Sequence, residues 1–331
     1  MRKTVFMKLI SFLFITVVLV GCSADTDHSD MNHSDMNHSD MDHSDMDHSD
    51  MDHSDMDHSD MEKPLPKTKD MVEVVQQDVA NTFSDFHAKG IKGAQVKVAV
   101  LDTGIDISSK DLEFSQGTNF VDSAVNDFDD DHGHGTKIAG IIGARENDYN
   151  LLGLAPQSDL YVAKVADEHG NVSIENLIKG IEWSIEKNVD IINMSLELPE
   201  GSKELHSAIK KAYDNNIIIL ASSGNIKYSG DTDLSYPGAY EEVINVGMLN
   251  TDGKIFADEF KDKEVDVFAP GEDVFSSYLN EKMTLDTAVS FSTAYASGCT
   301  ALLLQSYQDD NVEYSMQMVL SDLKEWLEQN M

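Results

Sequence analysis

A net charge of −36 at pH 7 over 331 residues leaves no basic face for a phosphate backbone, so nucleic acids are excluded as partners. Cys22 and Cys299 are the only two cysteines, so no intrachain disulfide is available once Cys22 is modified, and Cys299 lies in an apolar run that suits packing rather than thiol chemistry. The length allows one large domain or two small ones.

Residues 1–21 read as a signal peptide, outside any fold. Arg2, Lys3 and Lys8 precede the apolar run Ile10–Val20, which is too short to span a bilayer as a mature helix. The run ends in Leu19-Val20-Gly21-Cys22, which resembles a bacterial lipobox. That resemblance implies a diacylated Cys22 as mature N-terminus, anchored on the extracytoplasmic side of a bacterial cell membrane. Residues 22–69 then form a tether. Within it, Asp27–Met61 is seven tandem pentapeptides of Asp/Asn-His-Ser-Asp-Met, without an aromatic or β-branched residue. Such a segment cannot bury enough surface to offset its ordering entropy and is expected to be extended and disordered. Each repeat also offers an imidazole, a carboxylate and a thioether, a set that binds transition metals weakly and multivalently, with methionine favouring copper(I). A plain spacer fits the same composition. Residues 25–62 carry −14 of the net charge and those from Lys63 onward −25. A field of that sign attracts cationic peptides, and it also keeps a surface soluble.

From residue 70 to 331 the composition is that of one globular domain. Asp85–Lys89 with Gly90-Ile91-Lys92-Gly93 reads as a helix end and turn before a buried strand, Val96–Leu101. Apolar runs recur at Leu160–Val165, Val189–Met194, Ile217–Ala221, Val243–Val246 and Val265–Phe268. Between them lies a helical pattern at Ser173–Glu186, where Ile174, Leu177, Ile178, Ile181 and Ile185 recur at three- and four-residue steps. Strands apolar on both faces and alternating with helices predict an α/β fold: a doubly wound, mostly parallel sheet with helices on both faces. The functional site is then expected at the carboxyl ends of the strands.

Three stretches carry the chemistry. Asp102 ends the apolar run of Val-Ala-Val-Leu-Asp-Thr-Gly; His134 opens His-Gly-Thr-Lys-Ile-Ala-Gly; Ser290 begins Ser-Phe-Ser-Thr-Ala-Tyr-Ala-Ser-Gly. A serine hydroxyl becomes nucleophilic when an imidazole takes its proton, and a buried carboxylate fixes that imidazole's tautomer. His132 competes with His134, but the small-residue frame follows His134, so His132 and the acidic run Asp127, Asp129, Asp130, Asp131 are expected in a solvated loop. The run after Ser290 reads as a helix starting at the serine, whose positive end favours charge developing on a substrate oxygen. Asn225, in a glycine turn after an apolar run, can donate its amide to that oxyanion.

The order acid, histidine, serine, with Ser222-Ser223-Gly224-Asn225, resembles the subtilisin-like serine proteases. The resemblance runs from about Met71 to the C-terminus and includes Ile192-Asn193-Met194-Ser195-Leu196, Gly153-Leu154-Ala155-Pro156, Tyr236-Pro237-Gly238 and Ala269-Pro270-Gly271. It implies that Asp102, His134 and Ser290 are catalytic and that Asn225 serves the oxyanion. It also implies that Ser195, Leu196, Glu197 and Gly224 line the substrate cleft, with Ser195–Glu197 an edge strand that pairs with the peptide. No cofactor is implied for catalysis, and Asp111 and Asn147 match positions that ligate a structural calcium. Departures are Ala288-Val289 where relatives have Gly-Thr, Phe291 for Met, Ala294 for Pro, and Glu197-Leu198 for glycines. With Val289 in place of a threonine, the sequence leads one to expect a slow enzyme that Val289→Thr accelerates.

The expectation is a monomeric, lipid-anchored serine endopeptidase acting on peptides or proteins, basic ones favoured, in a maturation or leader-peptide role. The rivals are a catalytically weak or inactive peptide-binding protein of the same fold and a surface metal-binding lipoprotein.

Overall fold

The computed structural model describes residues 65–66, 82–146, 151–224, 235–257 and 264–331; the signal segment, Cys22, the repeats, Asn147 and Asn225 lie outside them. In chain order the elements are β1 (Leu65–Pro66), α1 (Ser84–His87), β2 (Lys97–Asp102), β3 (Phe114–Asn119), α2 (His134–Gly143), β4 (Asp159–Lys164), α3 (Ile174–Glu186) and β5 (Ile191–Met194). They continue with α4 (Lys203–Asp214), β6 (Ile218–Ser222), β7 (Ile244–Leu249), β8 (Val267–Pro270), β9 (Val274–Tyr278), β10 (Lys282–Asp286), α5 (Val289–Asp309) and α6 (Met316–Asn330).

A seven-stranded sheet runs in the order β3-β4-β2-β5-β6-β7-β8, and every pair in it is parallel. The five inner strands, β4, β2, β5, β6 and β7, are fully or almost fully buried because they are covered on both sides. In β2, Val98 and Val100 face one core and Ala99 and Leu101 the other, as a period of two requires. The first core is completed by Ile138, Ile141 and Ile142 of α2, by α5, and by Val319, Leu323 and Leu327 of α6. The second is completed by Leu177 and Ile181 of α3 and by Leu205, Ile209 and Ala212 of α4. This is the doubly wound α/β sheet that the alternation of apolar runs and helical patterns leads one to expect.

Local signals set the boundaries. The Ser173, Ser202 and Ser315 hydroxyls accept from the backbone N–H three residues on, capping α3, α4 and α6. Helix α5 is buried along nearly all of Val289–Gln305, which its Ala, Gly, Ser, Thr and Cys residues make room for, and Cys299 is packing within it. Burial raises the Cys299 thiol well above its usual range. A second, antiparallel sheet has the order β1-β10-β9, and in it Leu65, expected to belong to the tether, pairs with Met283. An extended Leu65-Pro66 segment suits the open edge that β10 offers. Among the described residues, no helix is long and apolar enough to cross a membrane.

The sheet reverses direction of winding at β2, with β4 on one side and β5 on the other. The crevice at the carboxyl ends of the strands opens at such a point. Asp102, the last residue of β2, stands there.

Candidate active site

Asp102 is 3% exposed at the end of β2. Its Oδ1 accepts from the Thr103 N–H and from His134 Nδ1, both at 2.8 Å. Because a carboxylate only accepts, the His134 proton sits on Nδ1, which leaves Nε2 as an acceptor. The Ser290 hydroxyl lies 3.1 Å from that Nε2. A carboxylate, an imidazole and a hydroxyl thus meet in one hydrogen-bonded line, although 156 residues separate the histidine from the serine. Burial by itself would push the His134 imidazolium down, but the Asp102 carboxylate outweighs it and holds the pKa above the ordinary 6.5, with Lys137 opposing and Asp130 assisting.

Each side chain is brought to the line by its element. His134 is the first residue of α2, a helix whose small residues permit close approach. A Cβ at Gly135 would run into the Gly104 carbonyl on the loop after β2. Ser290, 8% exposed, is the second residue of α5, at the positive end of a 21-residue helix. The C-terminal end of β5 is tied to this helix. Asn193 Nδ2 donates to Ser297 Oγ at 2.9 Å, and Ser195 Oγ lies 2.9 Å from the Ser290 carbonyl oxygen.

Several expectations change. Asp130 is not in a solvated loop: it is 6% exposed and accepts hydrogen bonds from the Thr103 and Thr136 hydroxyls and the His132, Gly133 and Thr136 N–H groups. It therefore caps α2 in place of its N-cap residue, Gly133, which has no side chain to do so. Burial would raise its carboxyl pKa, but the bonds from Thr136, Gly133 and Thr103 outweigh that and hold it below the ordinary 3.8. An Asp followed three residues later by the glycine that opens a helix is the sequence signal that could have found it. Asp127, Asp129 and Asp131 are exposed, as expected, and the buried Lys164 behind them donates to Asp131 Oδ1 at 2.6 Å. His132 is half-buried rather than solvated, with its ring centroid 6.3 Å from that of His134. Burial, reinforced by His134, lowers its pKa, and it takes no part in the line of hydrogen bonds from Asp102 to Ser290.

Ser195–Glu197 belong to no strand. Ser195 is buried with its hydroxyl turned toward α5, Leu196 is half-buried, and Glu197 is exposed. Leu198 and Tyr236 form an antiparallel bridge that fixes the end of this segment. Gly224 has φ +85°, and a Cβ there would run into the Glu197 carboxylate and the Ser235 hydroxyl, so the acid lies directly over the glycine. Val289 is 1% exposed and packs with Met248 against Ile255, Phe256, Ala257 and Phe268. A threonine hydroxyl beside that apolar cluster would lose water, which costs stability unless it finds a partner.

Calcium takes six to eight oxygen ligands. Asp111 is fully buried with Oδ2 accepting from Ser277 Oγ at 2.7 Å, and among the described residues no three acidic, histidine or cysteine groups cluster around it or elsewhere. Asn147, the other residue that the resemblance implies as a calcium ligand, lies outside the described residues.

Residues 93–331 match the profile of the Subtilase family. The chain belongs to that family. An intracellular serine protease of Paenibacillus polymyxa is 42% identical over 224 residues, 65% of this chain and 68% of that protein. Subtilisin of Bacillus pumilus is 39% identical over 67% of this chain and 81% of its own length. Subtilisin E of Bacillus subtilis (strain 168) is 38% identical over 67% of this chain, which spans 58% of it. Membership makes this subtilase a serine endopeptidase, a class that needs no cofactor for catalysis.

Proposed function

We propose that this subtilase cleaves peptide bonds with Ser290 as nucleophile, His134 as general base and Asp102 as the carboxylate that orients and stabilises the imidazole. The observation that carries this is the unbroken line Asp102 Oδ1–His134–Ser290 Oγ at 2.8 and 3.1 Å. Ser290 Oγ would attack the scissile carbonyl as its proton passes to Nε2. The imidazolium, held by Asp102, would then return the proton to the leaving amine, and water would release the acyl group by the same path. The N-terminus of α5 and the Asn225 amide would receive the oxyanion. Glu197, over Gly224 at the cleft, favours a cationic substrate residue there, and the acidic charge of the whole chain draws such peptides in. An acid at the cleft, Glu197 beside Gly224, suits selective maturation or leader-peptide processing better than general digestion, and Cys22 would hold the enzyme to the outer face of the membrane.

One experiment tests the assignment and the anchor. Intact cells are treated with a fluorophosphonate probe and then partitioned with detergent. Wild type should be labelled and enter the detergent phase; Ser290→Ala and His134→Ala should not be labelled; His132→Ala should be; Cys22→Ser should leave the detergent phase. An unlabelled wild type would support the inactive, peptide-binding alternative. Labelling lost in His132→Ala but kept in His134→Ala would overturn the choice of base. The seven His-Met repeats favour a second activity, transition-metal binding by the tail, which copper titration of the full chain against one lacking residues 27–61 would reveal or refute.

A further inference from the structure

A lysine is almost never fully buried unless its charge is paired. Lys137, one turn beyond His134 on α2, is 4% exposed. Its Nζ lies 2.8 Å from Asp286 Oδ2, 5.4 Å from the Tyr278 ring centroid and 5.8 Å from that of Phe291. Its backbone carbonyl accepts from the Ser276 hydroxyl. These partners come from three elements. Asp286 ends β10, four residues before Ser290; Ser276 and Tyr278 are on β9; Phe291 follows Ser290 on α5. The Tyr278 ring also lies against Gly133, at the start of the helix that carries His134.

We infer that Lys137 and Asp286 are a positioning pair that clamps the His134 helix to the strand and helix carrying Ser290 and so sets the approach of Nε2 to Oγ. The inference rests on the reading of His134 as base and Ser290 as nucleophile. Lys137 reaches both Asp286, on the strand leading into Ser290, and the ring of Phe291, the residue after it. Two aromatic faces and one carboxylate confine its ammonium group, so its position is determined from several sides. Reacting groups displaced by about 1 Å can lose about 100-fold in rate, and a clamp at this point controls that displacement.

The same pair acts on charge. His134 is faced by Asp102 from β2, by Asp130 and His132 from the preceding loop, and by Lys137 from its own helix, with Asp286 and Tyr278 beyond Lys137. Lys137 opposes the imidazolium. Replacing it with a neutral side chain should therefore raise the His134 pKa. Replacing Asp286 leaves the ammonium charge uncompensated and should lower it. A base must be neutral to accept the serine proton, so the acid limb of kcat/KM, which reports the free enzyme, should move to higher pH in Lys137→Met and to lower pH in Asp286→Asn.

The test uses the full-length protein in detergent, with peptide turnover and the rate of fluorophosphonate labelling measured from pH 5 to 9. Each single variant is expected to lose about 10- to 100-fold in kcat with KM changed by less than about 2-fold, since the clamp touches no substrate. The double variant should be no slower than the slower single, and Asp286→Glu should recover most of the rate. Because removal of a buried lysine can impair folding, Asp286→Asn, whose side chain is 24% exposed, carries the test by itself if Lys137→Met does not fold. Rates and limbs like those of wild type, limbs that move in the same direction, or losses that simply add would each overturn the pair. A wild type without turnover or labelling would instead overturn the hydrolytic reading beneath it.

Discussion

Removing Asp130 should unfasten the active-site helix more than any other change to the acidic loop. Its two oxygens receive five hydrogen bonds, three from backbone N–H groups and two from threonine hydroxyls, at distances of 2.6 to 3.1 Å. Each charge-assisted bond is worth about 1.5–3 kcal/mol taken singly, but the donors share one carboxylate and some regain water when it is lost. A net destabilisation of about 3–5 kcal/mol is expected for Asp130→Ala, as for other broken buried charge networks. The sign of its pH dependence follows from a folded pKa held below 3.8. The carboxylate's contribution is complete above the unfolded value and is lost as pH falls through the folded one, so the gap between wild type and Asp130→Ala should be widest near neutral pH and close in acid. Urea unfolding of both proteins in a Ser290→Ala background, which prevents self-digestion, measures it. A difference below about 1 kcal/mol at pH 7, or one that widens below pH 4, would refute the account.

Two further predictions concern the departures from the family. Val289→Thr buries a hydroxyl among Met248, Phe256 and Phe268; it should lower stability by about 1–3 kcal/mol and leave kcat within about 2-fold, and a faster enzyme of unchanged stability would show that the hydroxyl reaches the oxyanion instead. Glu197→Gln should reduce kcat/KM for peptides with a cationic residue at the cleft by about 5-fold relative to neutral ones, the equivalent of about 1 kcal/mol for an exposed charge. An unchanged ratio would remove Glu197 from substrate selection.

What the sequence made legible follows from how each feature is encoded. The central strands are written as apolar runs because both of their faces are covered, and each of the six runs named between Val96 and Phe268 lies at a strand of the parallel sheet. The edge strand β3, Phe-Ser-Gln-Gly-Thr-Asn, is partly exposed along its length and carries no such run. The hairpin β9–β10 is equally mixed, with serine and threonine buried beside Phe275 and Met283. Helix α4 does carry apolar residues at helical spacing, Leu205, Ala208, Ile209 and Ala212, and a scan for that period alone would find it.

The site divides in the same way. Asp102, His134 and Ser290 are recognisable because each sits in a frame of glycine and small residues that its close packing demands. Their support is not recognisable, because a residue's burial is decided by elements far away in sequence. Asp130 reads as one acid among four, and only the start of α2 folded against the Thr103 loop turns it from a solvated charge into a cap. Lys137 carries no signal of its own in the sequence, and only β10 brings Asp286 beside it. Val289 reads as a missing hydroxyl until β7, β8 and the Ile255–Ala257 segment close an apolar cluster around it. In each case local sequence specifies the reacting group, while long-range packing specifies the charge, position and hydration under which it reacts. For this subtilase, departures from the family pattern therefore carry a meaning that only the neighbours of each departing residue decide.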